Sequence, residues 1–275
     1  MKHADLSSRP PDADLSASCV ILISSCDAYS DLWTPFFNLF WRYWPDCPFP
    51  VYLISNHMNF SHPRITPLRT GDDRSWGHQI RAALTKLDTE YVLLMLEDFF
   101  FRRRVDSQNV LANLASLQQL EGRMLRLVPR PPPDEGVPGF PAIGRIREGA
   151  PYRVSTQGAI WRRRDLMDLT LDEESAWEFE LIGSRRSDSS QGYYSVWDSV
   201  LPYGHHVIER GKWFRGDAMQ FGRMGIGCDF SRRPIMTRYE MMLWRISMTR
   251  SWILQLLPWP QRVRLVRQVR RLLGQ

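Results

Sequence analysis

The stretch EYVLLMLEDFFF (Glu90–Phe101) is the most apolar of the chain, and it ends on two adjacent carboxylates, Glu97 and Asp98, closed over by Phe99, Phe100 and Phe101. A continuous apolar run of this kind reads as a strand buried in a sheet. Ionised groups at the end of such a strand are costly to desolvate. Either a cationic partner meets the pair, or one carboxylate is a surface residue and the other a helix cap.

Earlier in the chain, SCVILISSCDAY (Ser18–Tyr29) and FPVYLISN (Phe49–Asn56) repeat the pattern of an apolar run ending in small polar residues. Between them the Trp- and Phe-rich segment at about 31–44 reads as a helix stopped by Pro45. SWGHQIRAALTKL (Ser75–Leu87) carries Ile80, Ala83, Leu84 and Leu87 at helical spacing, with Ser75 as N-cap. Residues 106–120 read as a further helix. Strand, helix, strand, helix, strand at this spacing predicts a parallel α/β sheet. Ligands of such sheets lie beyond the carboxyl ends of the strands, so Ser24–Asp27, Ser55–Asn56 and Glu97–Asp98 are expected on one rim. PRPPPDEGVPGFP (Pro129–Pro141) reads as a rigid loop. RVSTQGAIWRRRDLMDL (Arg153–Leu169) reads as a strand running into a helix, and DEESAWEFEL (Asp172–Leu181) as the start of another.

A chain of 275 residues with 43% hydrophobic and 24% charged residues is long enough for one large α/β domain or two small ones. The cysteines Cys19, Cys26, Cys47 and Cys228 follow no metal or disulfide spacing, which favours a reducing compartment. No apolar h-region or transmembrane run is visible. The charge is unevenly placed: from Ser231 onward ten arginines face the single acid Glu240, a net +9, which leaves −3 for the rest of a chain whose total is +6. Three segments are expected: a disordered leader at 1–17, a catalytic domain at 18–230 and a basic tail at 231–275.

With its acidic pair at the end of a central strand, the chain resembles, over about 19–215, the GT-A fold of nucleotide-sugar glycosyltransferases, inverting bacterial lipopolysaccharide and polysaccharide enzymes in particular. The resemblance implies a GT-A-like (Rossmann-like), mixed, mostly parallel sheet flanked by helices. In that family a short acidic signature holds a divalent metal, Mn²⁺ or Mg²⁺, and the donor diphosphate. Here it implies Asp98 as the metal contact and Glu97 beside ribose or sugar, although the family's second aspartate is replaced by aromatics. Ser25, Cys26, Asp27 and Asn56 are implied at the nucleotide, with helix capping as the plain alternative for Asp27. His205 or His206 is implied as a late metal ligand, and Lys212 in RGKW as a cation for the phosphates. An inverting reaction needs a base for the acceptor hydroxyl: Glu178, with Glu180 as competitor. Gln157, Trp161 and Trp177 are implied on the acceptor side. The plain alternative is an amphipathic helix with solvated glutamates.

In the tail, Val263, Val266, Val269, Leu272 and Leu273 line one side of a basic amphipathic helix, with Arg264, Arg267 and Arg271 elsewhere around it and Trp252 and Trp259 before it. That pattern suits an anionic membrane interface. No nucleic-acid motif accompanies it. The expected enzyme is cytoplasmic, peripheral on the inner face of the cell membrane, and acts on a lipid-linked or glycan acceptor. A nucleotidyltransferase and a catalytically inactive membrane scaffold are the rival readings. The former usually shows a Gly-rich basic loop after the first strand, which SSCDAYSD lacks.

Overall fold

The computed structural model describes residues 13–255. The chain divides into two compact units, with the division between His206 and Val207.

The first unit is built on a nine-stranded sheet: β1 (Cys19–Ser24), β2 (Val51–Ser55), β3 (Thr66–Arg69), β4 (Tyr91–Leu96), β5 (Met124–Arg126), β6 (Glu135–Val137), β7 (Phe140–Arg145), β8 (Ala159–Arg162) and β9 (Tyr193–Val196), in the spatial order β3-β2-β1-β4-β8-β5-β9-β7-β6. The β3-β2-β1-β4 half is parallel throughout. β8 is antiparallel to both neighbours, β9 is parallel to β5, and β7 and β6 close the far edge as an antiparallel hairpin. Only β7 and β8 run against the rest, so the sheet is mixed and mostly parallel.

Helices α1 (Ala13–Ala17), α2 (Ser30–Tyr43), α3 (Trp76–Thr85), α4 (Ser107–Gln119) and α5 (Arg163–Leu169) flank it. Every residue of β1 is buried, as expected of a strand covered on both faces. Val20, Leu22, Val92 and Leu94 alternate onto one face, where they join Ile80, Ala83 and Leu84 of α3 and Trp161 of β8 in one core cluster. α3 starts at the predicted cap: Ser75 accepts from the His78 backbone N–H at 3.0 Å.

α2 carries an aromatic ladder, and this explains the three phenylalanines after the acidic pair. Phe36 meets Phe100 with ring centroids 6.1 Å apart, and Phe40 meets Phe101 at 5.5 Å. Phe99 turns to Tyr203 at 4.7 Å.

One expectation needs correcting. Pro129–Pro141 is not simply a loop: it supplies β6 and the start of β7, whose pairing provides the order that its composition does not announce. His205 and His206 lie in a loop. Of the leader at 1–17, Ala13–Ala17 form α1, and the remainder lies outside the described residues.

The second unit contains the hairpin β10 (Ile208–Glu209) and β11 (Lys212–Trp213), a helix at Arg215–Arg223 and a helix at Arg238–Gln255. The expectations for residues 256–275 lie outside the described residues. Among the described residues, no helix is long and apolar enough to cross a membrane.

Candidate active site

Because β1, β2 and β4 are parallel, Ser24, Ser55 and Leu96 end at one edge of the sheet, and the polar residues after them share that rim. β8 runs the other way, with Ala159 opposite Leu94, so Thr156–Gly158 arrive at the same edge.

Between the ends of β1 and β4 and the first turn of α3 lies a cleft of about 220 Å³, lined among others by Ser25, Cys26, Asp73, Trp76, Glu97 and Asp98. Glu97 is 5% exposed and Asp98 is half-buried. The floor is ordered by two indoles: Trp76 Nε1 donates to Ser24 Oγ at 3.0 Å, and Trp33 Nε1 to Ser25 Oγ at 2.7 Å.

Asp73 is a site residue that sequence reasoning missed. It lies in the turn before α3 and receives the Gln79 amide. Its charge is felt by Cys26, whose thiol is pushed up to about 11 by burial first, then by Asp73 and Glu97. Three carboxylates therefore gather at this rim, where the sequence had indicated two.

Of the residues expected at the donor, Ser25, Cys26, Glu97 and Asp98 share this cleft, whereas Asp27 and Asn56 clasp each other. The Asp27 N–H donates to Asn56 Oδ1 at 2.8 Å, and the Asp27 carboxylate accepts the backbone N–H groups of Asn56, His57 and Met58 at 2.9–3.0 Å. Asp27 ties the loop after β1 to the loop after β2.

The acceptor-side residues divide as well. Gln157 accepts from the Tyr203 hydroxyl at 3.3 Å, and that hydroxyl accepts the Gly158 N–H at 2.6 Å. Burial raises the Tyr203 phenol, with Asp98 among the smaller contributors. Thr156, one residue before Gln157, holds Glu180 through its backbone N–H at 2.7 Å and its hydroxyl at 2.8 Å.

Glu180 sits in a π-helical turn, Phe179–Gly183. Such turns re-aim side chains and are frequent at functional sites. Nearby, Arg126 at the end of β5 is fully buried and donates to the carbonyls of Pro131, Tyr152 and Arg153 at 2.7, 2.6 and 3.1 Å. Desolvation lowers its pKa, and Glu180 is the largest opposing charge.

Glu178 is engaged elsewhere. It closes a capping box with Ser175, whose N–H and hydroxyl both reach Oε2 at 2.8 Å. Those hydrogen bonds hold its pKa below the usual carboxylate value. Trp161 is 0% exposed within the core, leaving no ring face for a sugar, whereas Trp177 is 65% exposed.

His205 Nδ1 lies 2.6 Å from the His206 carbonyl, and the His206 ring meets Phe99 edge-on at 6.3 Å. Lys212 belongs to the second unit, where it pairs with Glu240. Among the described residues, no group of three or more His, Cys, Asp or Glu is arranged to hold a metal ion by itself. The oxygen donors of Glu97 and Asp98 nevertheless suit Mg²⁺ or Mn²⁺, which take one or two carboxylates and fill the remaining positions with phosphate oxygens and water.

No model of a known protein family matches the sequence, and no curated protein matches it. Among solved structures, the chain is similar to TarS 1–349 of S. aureus, with 14% identity over 66% of this chain and 60% of that one and a TM-score of 0.41. It is also similar to the mannosyltransferase PcManGT from Pyrobaculum calidifontis in complex with GDP-Man and Mn²⁺, with 13% identity over 73% and 60% and a TM-score of 0.47. A third is CMP:2-keto-3-deoxy-manno-octonic acid synthetase complexed with CTP, with 11% identity over 76% and 98% and a TM-score of 0.44. The chain spans about 60% of the length of the first two. At such identities and scores, the functional reading rests on the residues of this chain.

Proposed function

We propose that this chain is a nucleotide-sugar-dependent glycosyltransferase, inverting, that serves bacterial surface polysaccharide assembly on a lipid-linked or glycan acceptor. The observation that carries the reading is the acidic cleft at the carboxyl ends of β1 and β4, with Glu97 buried and Asp98 and Asp73 beside it. A buried carboxylate with two more accessible ones beside it suits a metal-borne diphosphate at this rim. Bound Mg²⁺ or Mn²⁺ supplies neutralisation of the leaving diphosphate.

The base in this reading is Glu180, because Glu178 is engaged at a helix start and Glu180 is held beside Gln157. Glu180 takes the proton of the acceptor hydroxyl. The hydroxyl oxygen bonds to the anomeric carbon, and the bond from that carbon to the diphosphate breaks with its electron pair on the leaving nucleoside diphosphate. Trp177 offers an exposed ring for a sugar face. The enzyme works on the inner face of the cell membrane, held there by its basic C-terminal region.

A panel of sugar nucleotides, screened for thermal stabilisation and for turnover with and without Mn²⁺, tests the proposal. One donor should stabilise the protein and yield nucleoside diphosphate, and D98A should abolish both effects. Release of pyrophosphate instead would make the chain a nucleotidyltransferase. Failure of every nucleotide to bind would make it a scaffold.

A further inference from the structure

The helix Arg238–Gln255 of the second unit is amphipathic in an unusual sense over its stretch up to Ile246: there its inner side is secured and its outer side is apolar. Inward, Trp244 meets Phe214 with ring centroids 4.7 Å apart, and Glu240 binds Lys212 while capping Thr237. Outward, Tyr239, Met242, Leu243 and Ile246 are 64, 49, 45 and 57% exposed. Their spacing of three, four and seven residues puts them on one stripe. Arg238 and Arg245, seven residues apart, run along one edge of that stripe, and both are exposed. From Val207 to Ile246 the sequence carries seven arginines and one lysine against four acids.

We infer that this stripe is a membrane-docking face, with the four apolar side chains entering the acyl boundary of an anionic leaflet and the arginines meeting its headgroups. The charge decides the occupant. An apolar stripe edged by arginine on a basic unit complements negative lipid, whereas a second copy would bring a like-charged surface against it. The inference deepens the membrane partner proposed above, on which it rests. It also assigns the contact to a face within Tyr239–Ile246, ahead in sequence of the basic segment 262–271.

The test is co-sedimentation of the full chain with vesicles of phosphatidylcholine alone and of phosphatidylcholine containing phosphatidylglycerol. The parent should bind the anionic vesicles at least about tenfold more tightly, and M242E/I246E should lose about tenfold or more of that binding while keeping the parent's melting temperature and nucleotide binding. L243S/I246S, a milder change at exposed positions, should lose less. A tail variant, R264Q/R267Q/R271Q, separates the two surfaces. If it alone releases the protein and M242E/I246E binds like the parent, the helix face is not the contact, although the membrane reading stands. If the parent binds neither vesicle, both fall. If M242E/I246E instead dissolves a dimer seen by sedimentation and leaves vesicle binding intact, a second copy covers the stripe and the inference is overturned.

Discussion

Thr156 donates both its backbone N–H and its hydroxyl to one carboxylate oxygen of Glu180, at 2.7 and 2.8 Å. Two donors on one oxygen fix the carboxylate while its second oxygen remains available as an acceptor. Gln157 follows immediately, linked through Tyr203 to Phe99 and so to the residue after Asp98. One short network therefore connects the proposed base to the acidic rim. E180Q keeps the shape and removes the basicity, so kcat is expected to fall by about 10²–10⁴ with little change in donor affinity. E178Q, which alters a capping box, should leave kcat within a few-fold and lower only the melting temperature. The inverse pattern in steady-state kinetics would return the base to Glu178.

The aromatics after the acidic pair are structural supports. Phe101 is 1% exposed and lies between Phe40 and Trp44, with ring centroids 5.5 and 6.2 Å away. F101A removes this wedge and should cost about 3–5 kcal/mol of stability, read as a lower denaturant midpoint at unchanged slope. Donor affinity should fall with it, because Glu97 and Asp98 are held between β4 and this anchor. The milder F101L should recover most of both.

Strands β1, β2 and β4 were legible because burial on both faces writes an unbroken apolar run, and Ser75 was legible because a helix start needs an acceptor for its free N–H groups. By contrast, β3 is TPLR, β5 is MLR and β9 is YYSV. Such short segments become strands through the partners that pair with them, which no local pattern records. The same holds for the site. Glu97 and Asp98 stood out against apolar neighbours, whereas Asp73 in TGDDRSW looked like ordinary turn charge. It reaches the cleft only because α3 begins beside β1. The capping box that engages Glu178 is written in the sequence as the S-x-x-E spacing of Ser175 and Glu178, whereas the π-helical turn that aims Glu180 leaves no mark in AWEFEL.

α3 is seated against its neighbour by the absence of a side chain. A Cβ on Gly77 would lie 1.9 Å from the Leu171 carbonyl oxygen, and the Gly77 N–H donates to the Glu174 carbonyl at 2.9 Å. The obstacle is backbone, so G77A must move the helix start. The expected cost is about 1–3 kcal/mol or more, read as a lower melting temperature. Trp76 and Gln79 line the cleft from the same turn, so nucleotide affinity should drop as well. By contrast G216A, where a Cβ meets nothing within 4 Å, should be nearly silent in both assays.

Cys26 reports on the charge of the cleft. Burial, then Asp73 and Glu97, raise its thiol from 9.0 to about 11, whereas Cys19, Cys47 and Cys228 are pushed to about 12. The thiolate is the reactive form, so a rise of two units makes alkylation near pH 8 on the order of a hundredfold slower than in the unfolded chain. With rising pH, Cys26 should be the first cysteine labelled, as followed by peptide mass spectrometry. The stability linkage has the matching sign. The fold holds this proton more firmly than the unfolded chain does, so the contribution is complete below about pH 9 and is lost as pH rises through about 11. D73N removes one of the two neighbouring charges, lowering the Cys26 pKa and speeding its labelling at fixed pH. Equal rates in D73N and the parent would show that Asp73 does not face the thiol, and the carboxylate cluster at the rim would reduce to Glu97 and Asp98.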